Sequence, residues 1–264
     1  MTKRPFWLLW VLGAGLVGCS VGMQPAVRSA PSGTQTNAGY YQGSRVIPRR
    51  ETSAPFSDNF SGKKLDPRWI VVNPNPDSKI GLNGHGYLEE IASPKNGGSD
   101  LFSVTNYNAP FIVQPINPNL DWTIEVQLNF SPTNNYQGSG ILLATLPGKF
   151  TDETQFDRIA ERAYGPKQGG QAACLDNTPT GDGFPQGVCI PFTPTTTYFL
   201  LTKRGNNYSL KVSGDGHSWQ SVGTVRHLNA AFSYVGLFTV RQPWDSNFSV
   251  YSDALFNYFH IKVK

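Results

Sequence analysis

The sequence predicts an all-β fold over residues 56–264, a sandwich or barrel of short antiparallel strands. Three observations carry that expectation. Residues 121–130 alternate strictly between apolar and polar side chains, the period of a strand with one buried face. Short apolar segments recur between clusters of turn residues, in a chain with 27 Gly and 20 Pro. No long segment carries helical periodicity, and no internal repeat is evident. Hydrophobic content of 39% supplies a core, and charged content of 15% is too sparse for a disordered chain.

The first segment reads differently. Lys3 and Arg4 precede an apolar run from Phe6 to Val17, too short to span a bilayer of roughly 30 Å as a helix. The run ends in Leu16-Val17-Gly18-Cys19. This succession resembles the lipobox of bacterial lipoproteins, in which a signal peptidase cleaves before a cysteine whose thiol carries diacylglycerol. The resemblance implies a signal peptide over 1–18, a lipid on Cys19, export, and attachment to a membrane in the cell envelope. An ordinary signal peptide with a chance cysteine is the alternative. Ser20, where an Asp would favour retention at the inner membrane of a Gram-negative cell, points to the outer membrane in such a cell. Residues 19–55 are rich in Ser, Gly, Pro and Thr without apolar periodicity, and read as a flexible tether.

Within 56–264 the clearest strand is Asp121 to Phe130. Trp122, Ile124, Val126, Leu128 and Phe130 form one face, and Thr123, Glu125, Gln127 and Asn129 the other. Tyr198 to Val225 reads as a three-strand meander, with turns at Gly205-Asn206-Asn207 and Gly214-Asp215-Gly216. Tyr234 to Val240 and Leu255 to Val263 supply two more strands. Phe156 to Tyr164 fits a helical face and an alternating one; its β surroundings favour a strand. Trp122 and Trp219 are assigned to the core.

Three cysteines are an odd number. With Cys19 lipidated, Cys174 and Cys189 remain, and export favours their oxidation. Such a loop closure contributes roughly 3 kcal/mol in the chain-entropy picture. A metal pair is the alternative, but no His or further Cys stands nearby at ligand spacing.

Four motifs occur in order. Phe60-Ser61-Gly62-Lys63-Lys64-Leu65-Asp66-Pro67-Arg68-Trp69 opens the region, and Asp121-Trp122-Thr123-Ile124-Glu125-Val126 forms its central strand. Lys203 to Trp219 is a hairpin with Tyr208, Leu210, Ser213, Asp215 and Gly216 at fixed spacing. Tyr234-Val235-Gly236-Leu237-Phe238 leads to a closing strand with Phe256, Tyr258 and Phe259. Together they resemble the concanavalin A-like jelly roll that forms the C-terminal domain of glycoside hydrolase family 43 β-xylosidases. The resemblance covers residues 56–264 and implies a two-sheet antiparallel jelly-roll sandwich with one concave sheet. The catalytic propeller of those enzymes has no counterpart in residues 1–55. Ser213-Gly214-Asp215-Gly216-His217-Ser218-Trp219 is similar to a sialidase Asp box, but its glycine comes one residue early and the element occurs once, so a hairpin turn is expected.

Most enzyme chemistries find no support. Retaining jelly-roll glucanases place alternate carboxylates on a central strand, about 5 Å apart. Here Glu125 stands alone, since Gln127 replaces the Asp and Phe130 the second Glu. Asp157 and Glu161 could form a carboxylate pair, but Arg158 and Arg162 favour surface ion pairs. His85, His217, His227 and His260 are scattered and form no metal or triad motif. Without Lys3 and Arg4, 22 basic residues become 20 against 18 acidic, with no basic block, which argues against nucleic acid as a partner. The jelly-roll resemblance implies one possible structural Ca²⁺ where first and last strands meet, and Asp58 and Asp253 are the carboxylates in those places.

The leading functional expectation is a carbohydrate-binding sandwich that does not cleave its ligand, a polysaccharide or other glycan. Glu125, Gln127 and Asn129 would hydrogen-bond sugar hydroxyls, and Tyr107, Tyr136 and Trp244 would stack on sugar faces. A glycoside hydrolase or lyase with an atypical carboxylate site is the second expectation. A structural or adhesion lipoprotein without a small ligand is the third.

Overall fold

The computed structural model describes residues 34–35, 40–42, 54–103, 106–145, 156–165, 170–175, 187–226, 232–243 and 248–264. The leader, Cys19, His227 and Trp244 lie outside the described residues. In chain order the strands are β1 (Thr34–Gln35), β2 (Tyr40–Gln42), β3 (Ile70–Val72), β4 (Lys79–Leu82), β5 (Leu88–Ala92), β6 (Leu101–Ser103), β7 (Asn106–Tyr107), β8 (Phe111–Pro115) and β9 (Trp122–Asn129). They continue as β10 (Gln137–Ala144), β11 (Phe156–Gly165), β12 (Gly170–Leu175), β13 (Val188–Pro191), β14 (Thr196–Arg204), β15 (Asn207–Ser213), β16 (Gln220–Arg226), β17 (Tyr234–Arg241) and β18 (Ser252–Val263).

Two antiparallel sheets stack as a jelly-roll sandwich. One runs β1-β2-β4-β5-β18-β9-β14-β15-β16 and the other β13-β12-β11-β10-β17-β8-β3. The alternation in β9 is realised in full: Trp122, Ile124, Val126 and Leu128 are buried between the sheets, and the residues between them are half-exposed. Phe199 and Leu201 of β14 and Phe256 and Phe259 of β18 join that inner layer, facing Ile141, Leu143, Val235 and Leu237 of the second sheet. At one end Trp69 is fully buried, with Phe56 and Phe259 edge-on to it at 5.0 and 5.4 Å. The meander is β14, β15 and β16, and the ambiguous 156–164 segment is strand β11. Trp122 is core as expected, whereas Trp219 is only half-buried, because it stands at the exit of the Asp215 turn, before β16.

The second sheet is covered on both sides. Its outer face carries a separate apolar layer of Val72, Phe111, Leu142, Phe238, Val240 and Leu101. Every residue of β10 and β17 is therefore buried. Among the described residues the first sheet has no such cover on its outer face, where alternate residues of β9, β14 and β18 are half-exposed.

Residues 19–55 are not all tether. Tyr40 and Tyr41 pair antiparallel with Gly81 and Ile80, and β1 pairs with β2 as a hairpin. This strap adds two strands to the edge of the first sheet. Main-chain hydrogen bonding to an open edge supplies the ordering that side-chain hydrophobicity lacks.

Cys174 and Cys189 are joined in a disulfide across directly opposed positions of β12 and β13. Separately, the charges of β11 are not on the surface. Arg158 pairs with Glu161 at 3.1 Å, with side chains only 4% and 1% exposed. Asp157 pairs in register with the inward Leu143, and Glu161 with Gly140 beyond a register shift, so the two carboxylates do not share a face. The expectation of surface ion pairs is thus corrected: the Arg158–Glu161 pair is buried, and the buried Arg162 guanidinium donates to the Ala172, Phe192 and Pro194 carbonyls and to Gln171. Glycine at 138 makes room for the pair, since a Cβ there would stand 1.7 Å from Glu161 Oε1.

Two predictions follow from these buried groups. Glu90 lies wholly between the sheets, accepting a hydrogen bond from the Thr239 hydroxyl (3.0 Å). Burial holds its carboxyl protonated well above the usual glutamate range, outweighing that bond. A raised folded value means stability is fully present below the unfolded value of about 4.3 and is lost as pH rises through the folded one. In urea unfolding, Glu90→Gln should gain on the wild type as pH climbs from about 4.3. A difference constant with pH would refute the burial argument. Glu161→Gln removes one carboxylate from the buried Arg158 guanidinium, which keeps its interaction with Asp100, and should cost up to about 3–5 kcal/mol. A loss below about 1 kcal/mol, the range of surface pairs, would show the pair to be solvated.

Candidate functional site

Glu125, Gln127 and Asn129 point outward from β9 at the centre of the nine-stranded sheet, because Trp122, Ile124, Val126 and Leu128 take the inward positions. The register sets their neighbours. Asn129 lies between Leu255 of β18 and Thr196 of β14, Gln127 between Tyr258 and Tyr198, and Glu125 between His260 and Leu200. A register shift between Phe256 and Tyr258 leaves both Asn257 and Tyr258 half-exposed instead of sending one into the core.

Each of the three β9 groups has a partner on this face. The Tyr258 hydroxyl donates to Glu125 Oε1 (2.6 Å), Asn257 Nδ2 to Gln127 Oε1 (2.7 Å), and Thr196 Oγ1 to Asn129 Oδ1 (2.8 Å). His260 stacks on the Tyr258 ring at 4.3 Å and bonds Asn59 Oδ1 through Nε2 (2.6 Å). Burial and the Glu125 carboxylate raise the Tyr258 hydroxyl far above the ordinary tyrosine range, so it stays a donor at any physiological pH. The result is a polar strip whose acceptors are held in fixed orientation by neighbouring strands, with half-exposed aromatic rings among them.

Of the aromatic residues picked from the sequence, Tyr136 and Tyr107 are carried by other strands, and Trp244 lies outside the described residues. Tyr136 enters β10 on the other sheet, in a left-handed conformation (φ 63°), its N–H bonded to Tyr164 and its carbonyl to Gln242. Tyr107 is in β7, paired with β6 in a separate two-stranded unit. The rings that do flank the β9 strip are Tyr198, Tyr258 and His260. The signal for Tyr198 was available: it is outward in the same alternation that sends Phe199 and Leu201 inward. For Tyr258 and His260 the register shift in β18 hid it.

Asp58 and Asp253 are not brought together. Asp58 bridges to Phe259 and accepts from the Trp69 indole N–H (2.9 Å) and the Phe60 N–H (2.8 Å). Asp253 stands six positions earlier on β18, about 20 Å along an extended strand. Two carboxylates so placed do not fit one calcium ion, whose ligands all lie at about 2.3–2.6 Å. Among the described residues no group of three or more His, Cys, Asp or Glu could hold a metal.

A double-displacement pair is equally absent around Glu125 among the described residues. Its neighbours in register and the two β9 groups beside it are neutral or basic, and Glu89, two strands away, lies about 16 Å off by strand spacing and rise.

No family model matches the chain, and no curated protein matches it. Solved structures do. The GH43 protein BlXynB from Bacillus licheniformis superposes with a TM-score of 0.58 at 17% identity, over 83% of this chain and 41% of that one. A xylan β-1,4-xylosidase from Bacillus halodurans gives 0.56 at 16% identity, over 82% of this chain and 41% of that one. An immunostimulatory antigen and pseudo β-1,3-glucanase of Mycobacterium tuberculosis gives 0.55 at 13% identity, over 80% and 99%. The chain therefore spans about two fifths of the two Bacillus proteins and nearly all of the mycobacterial one. At these identities the likeness establishes a shared fold alone, the jelly-roll sandwich.

Proposed function

We propose that this protein is a glycan-binding, non-hydrolytic jelly roll, displayed at a membrane by a lipid on Cys19. The observation that carries the reading is the outward strip of Glu125, Gln127 and Asn129, each aligned by a partner from β14 or β18. Sugar hydroxyls are recognised by fixed acceptors and amides, and sugar faces by aromatic rings, and this strip offers both on one open surface. A purely structural sandwich has no need to leave Tyr198, Tyr258 and His260 half-exposed in a row.

The shared fold with a xylosidase and a pseudo-glucanase supports a polysaccharide as the ligand class. Cleavage is not part of the proposal, because the strip has one carboxylate where double displacement requires two at about 5 Å. Affinity is expected to be modest, since an open face leaves much of the sugar in water and a free chain loses entropy on binding. Lipidation rests on the leader and the Leu16-Val17-Gly18-Cys19 sequence.

The test is affinity electrophoresis through gels containing xylan or laminarin. Glu125→Ala with Gln127→Ala should weaken retardation while shifting stability by less than about 1 kcal/mol, the range of surface substitutions. Unchanged retardation would remove these residues from the site, and reducing ends released in proportion to protein would make the protein an enzyme. For the anchor, Cys19→Ala should abolish incorporation of labelled fatty acid in a bacterial host. An unmodified N-terminus in the wild type would end the lipoprotein reading.

A further inference from the structure

The strap formed by β1 and β2 extends the edge of the sheet that carries the polar strip, and its position has a chemical consequence. Reading across the first sheet in register, one row runs Tyr40, Gly81, Glu89, Leu255, Asn129, Thr196. The row begins on the strap and ends at the proposed glycan strip. Glu89, Leu255, Asn129 and Thr196 are all half-exposed, so it is one continuous outer surface over six strands, about 24 Å at roughly 4.8 Å per strand.

Tyr40 is built into that surface. The glycine at 81 puts no side chain between β2 and β5. The Tyr40 hydroxyl therefore reaches across β4 and hydrogen-bonds Glu89 Oε2. Lys79 holds its ammonium 5.9 Å from the ring centroid, and the ring itself is half-buried. A strand that served only to cap an edge needs main-chain hydrogen bonds alone. An aromatic ring held on the outer face by Glu89 and Lys79 is more than edge capping requires.

We propose that Tyr40 is a ligand-contacting residue, and that the docked strap extends the glycan-binding face from Thr196 to the sheet edge. This deepens the reading above and rests on it. The ligand class follows from the dimensions and charge. A surface crossing six strands suits a linear polysaccharide lying across them. The carboxylates Glu89 on it, Asp253 beside it and Glu125 on the strip it meets favour a neutral chain over one bearing uronic acids. A short oligosaccharide fills only the β9 strip.

The test uses the full chain, with neutral laminarin and xylan gels and polygalacturonate as the anionic probe. Tyr40→Ala should weaken retention on a neutral gel about tenfold, the worth of one ring contact. Tyr40→Phe, which keeps the ring and loses the Glu89 bond, should lose less. Binding of a xylotriose or laminaritriose probe should be the same in Tyr40→Ala and wild type, and polygalacturonate should not retard either protein. Melting curves of both variants check the fold, and Tyr40→Phe decides if Tyr40→Ala unfolds: wild-type stability with reduced retention supports the proposal. Wild-type retention by Tyr40→Ala, where the Glu125 and Gln127 variant loses it, overturns the strap proposal and leaves the strip standing. Equal losses of trisaccharide and polysaccharide binding also overturn it, because Tyr40 would then act by distorting the strip. If neither neutral gel retards the wild type, both readings fall together.

Discussion

The closing strand determines most of what this molecule is. β18 inserts between β5 and β9, so the C-terminal residues join the N-terminal part of the nine-stranded sheet to its centre. Its inner residues Phe256 and Phe259 fill the core, and Phe259 also meets Trp69 and, through its main chain, Asp58. A slip of one residue would carry those rings to the solvent side and the polar strip's partners into the core. The register shift at Phe256 to Tyr258 resolves a local conflict. It lets both rings stay inward while Asn257 and Tyr258 both reach the acceptors of β9.

The two sheets use their outer faces in opposite ways. The seven-stranded sheet hides its own under a second apolar layer, and in that dry setting Arg158 and Glu161 compensate each other. Among the described residues the nine-stranded sheet leaves its outer face open, and its polar groups are organised by cross-strand hydrogen bonds. Water competes for such groups at little cost, which makes them exchangeable for the hydroxyls of a bound molecule. The same alternation in β9 serves both purposes: its inward residues fix the strand, and the outward ones inherit a fixed geometry without contributing to the core.

Much of this was legible in the residues, and the failures have physical causes. Strand β9, the meander and β17 declared themselves by period and turns, which are local properties. The disulfide was legible by elimination. The burial of Arg158 and Glu161 was not, because what lies against β11 is the segment around Asp100 and β6, distant in sequence. Asp58 and Asp253 looked like partners because one opens the domain and the other begins its last strand. Along twelve residues of β18, however, position matters more than strand adjacency. Tyr40 was invisible to any argument from composition, since a Ser- and Gly-rich segment gives no sign that a distant sheet edge offers it hydrogen bonds.

The placement of the disulfide bears on where this chain can be made. β13 is the outermost strand of its sheet, and four residues of main-chain pairing are all that its ladder supplies. It shields the edge of β12, which would otherwise present unpaired main-chain groups to other molecules. Val188, at the start of β13, is itself exposed to solvent. The covalent link across the middle of this short ladder keeps the shield in place in an oxidising compartment. Under reducing conditions the shield would rest on that four-residue ladder and on the packing of β13 against β16.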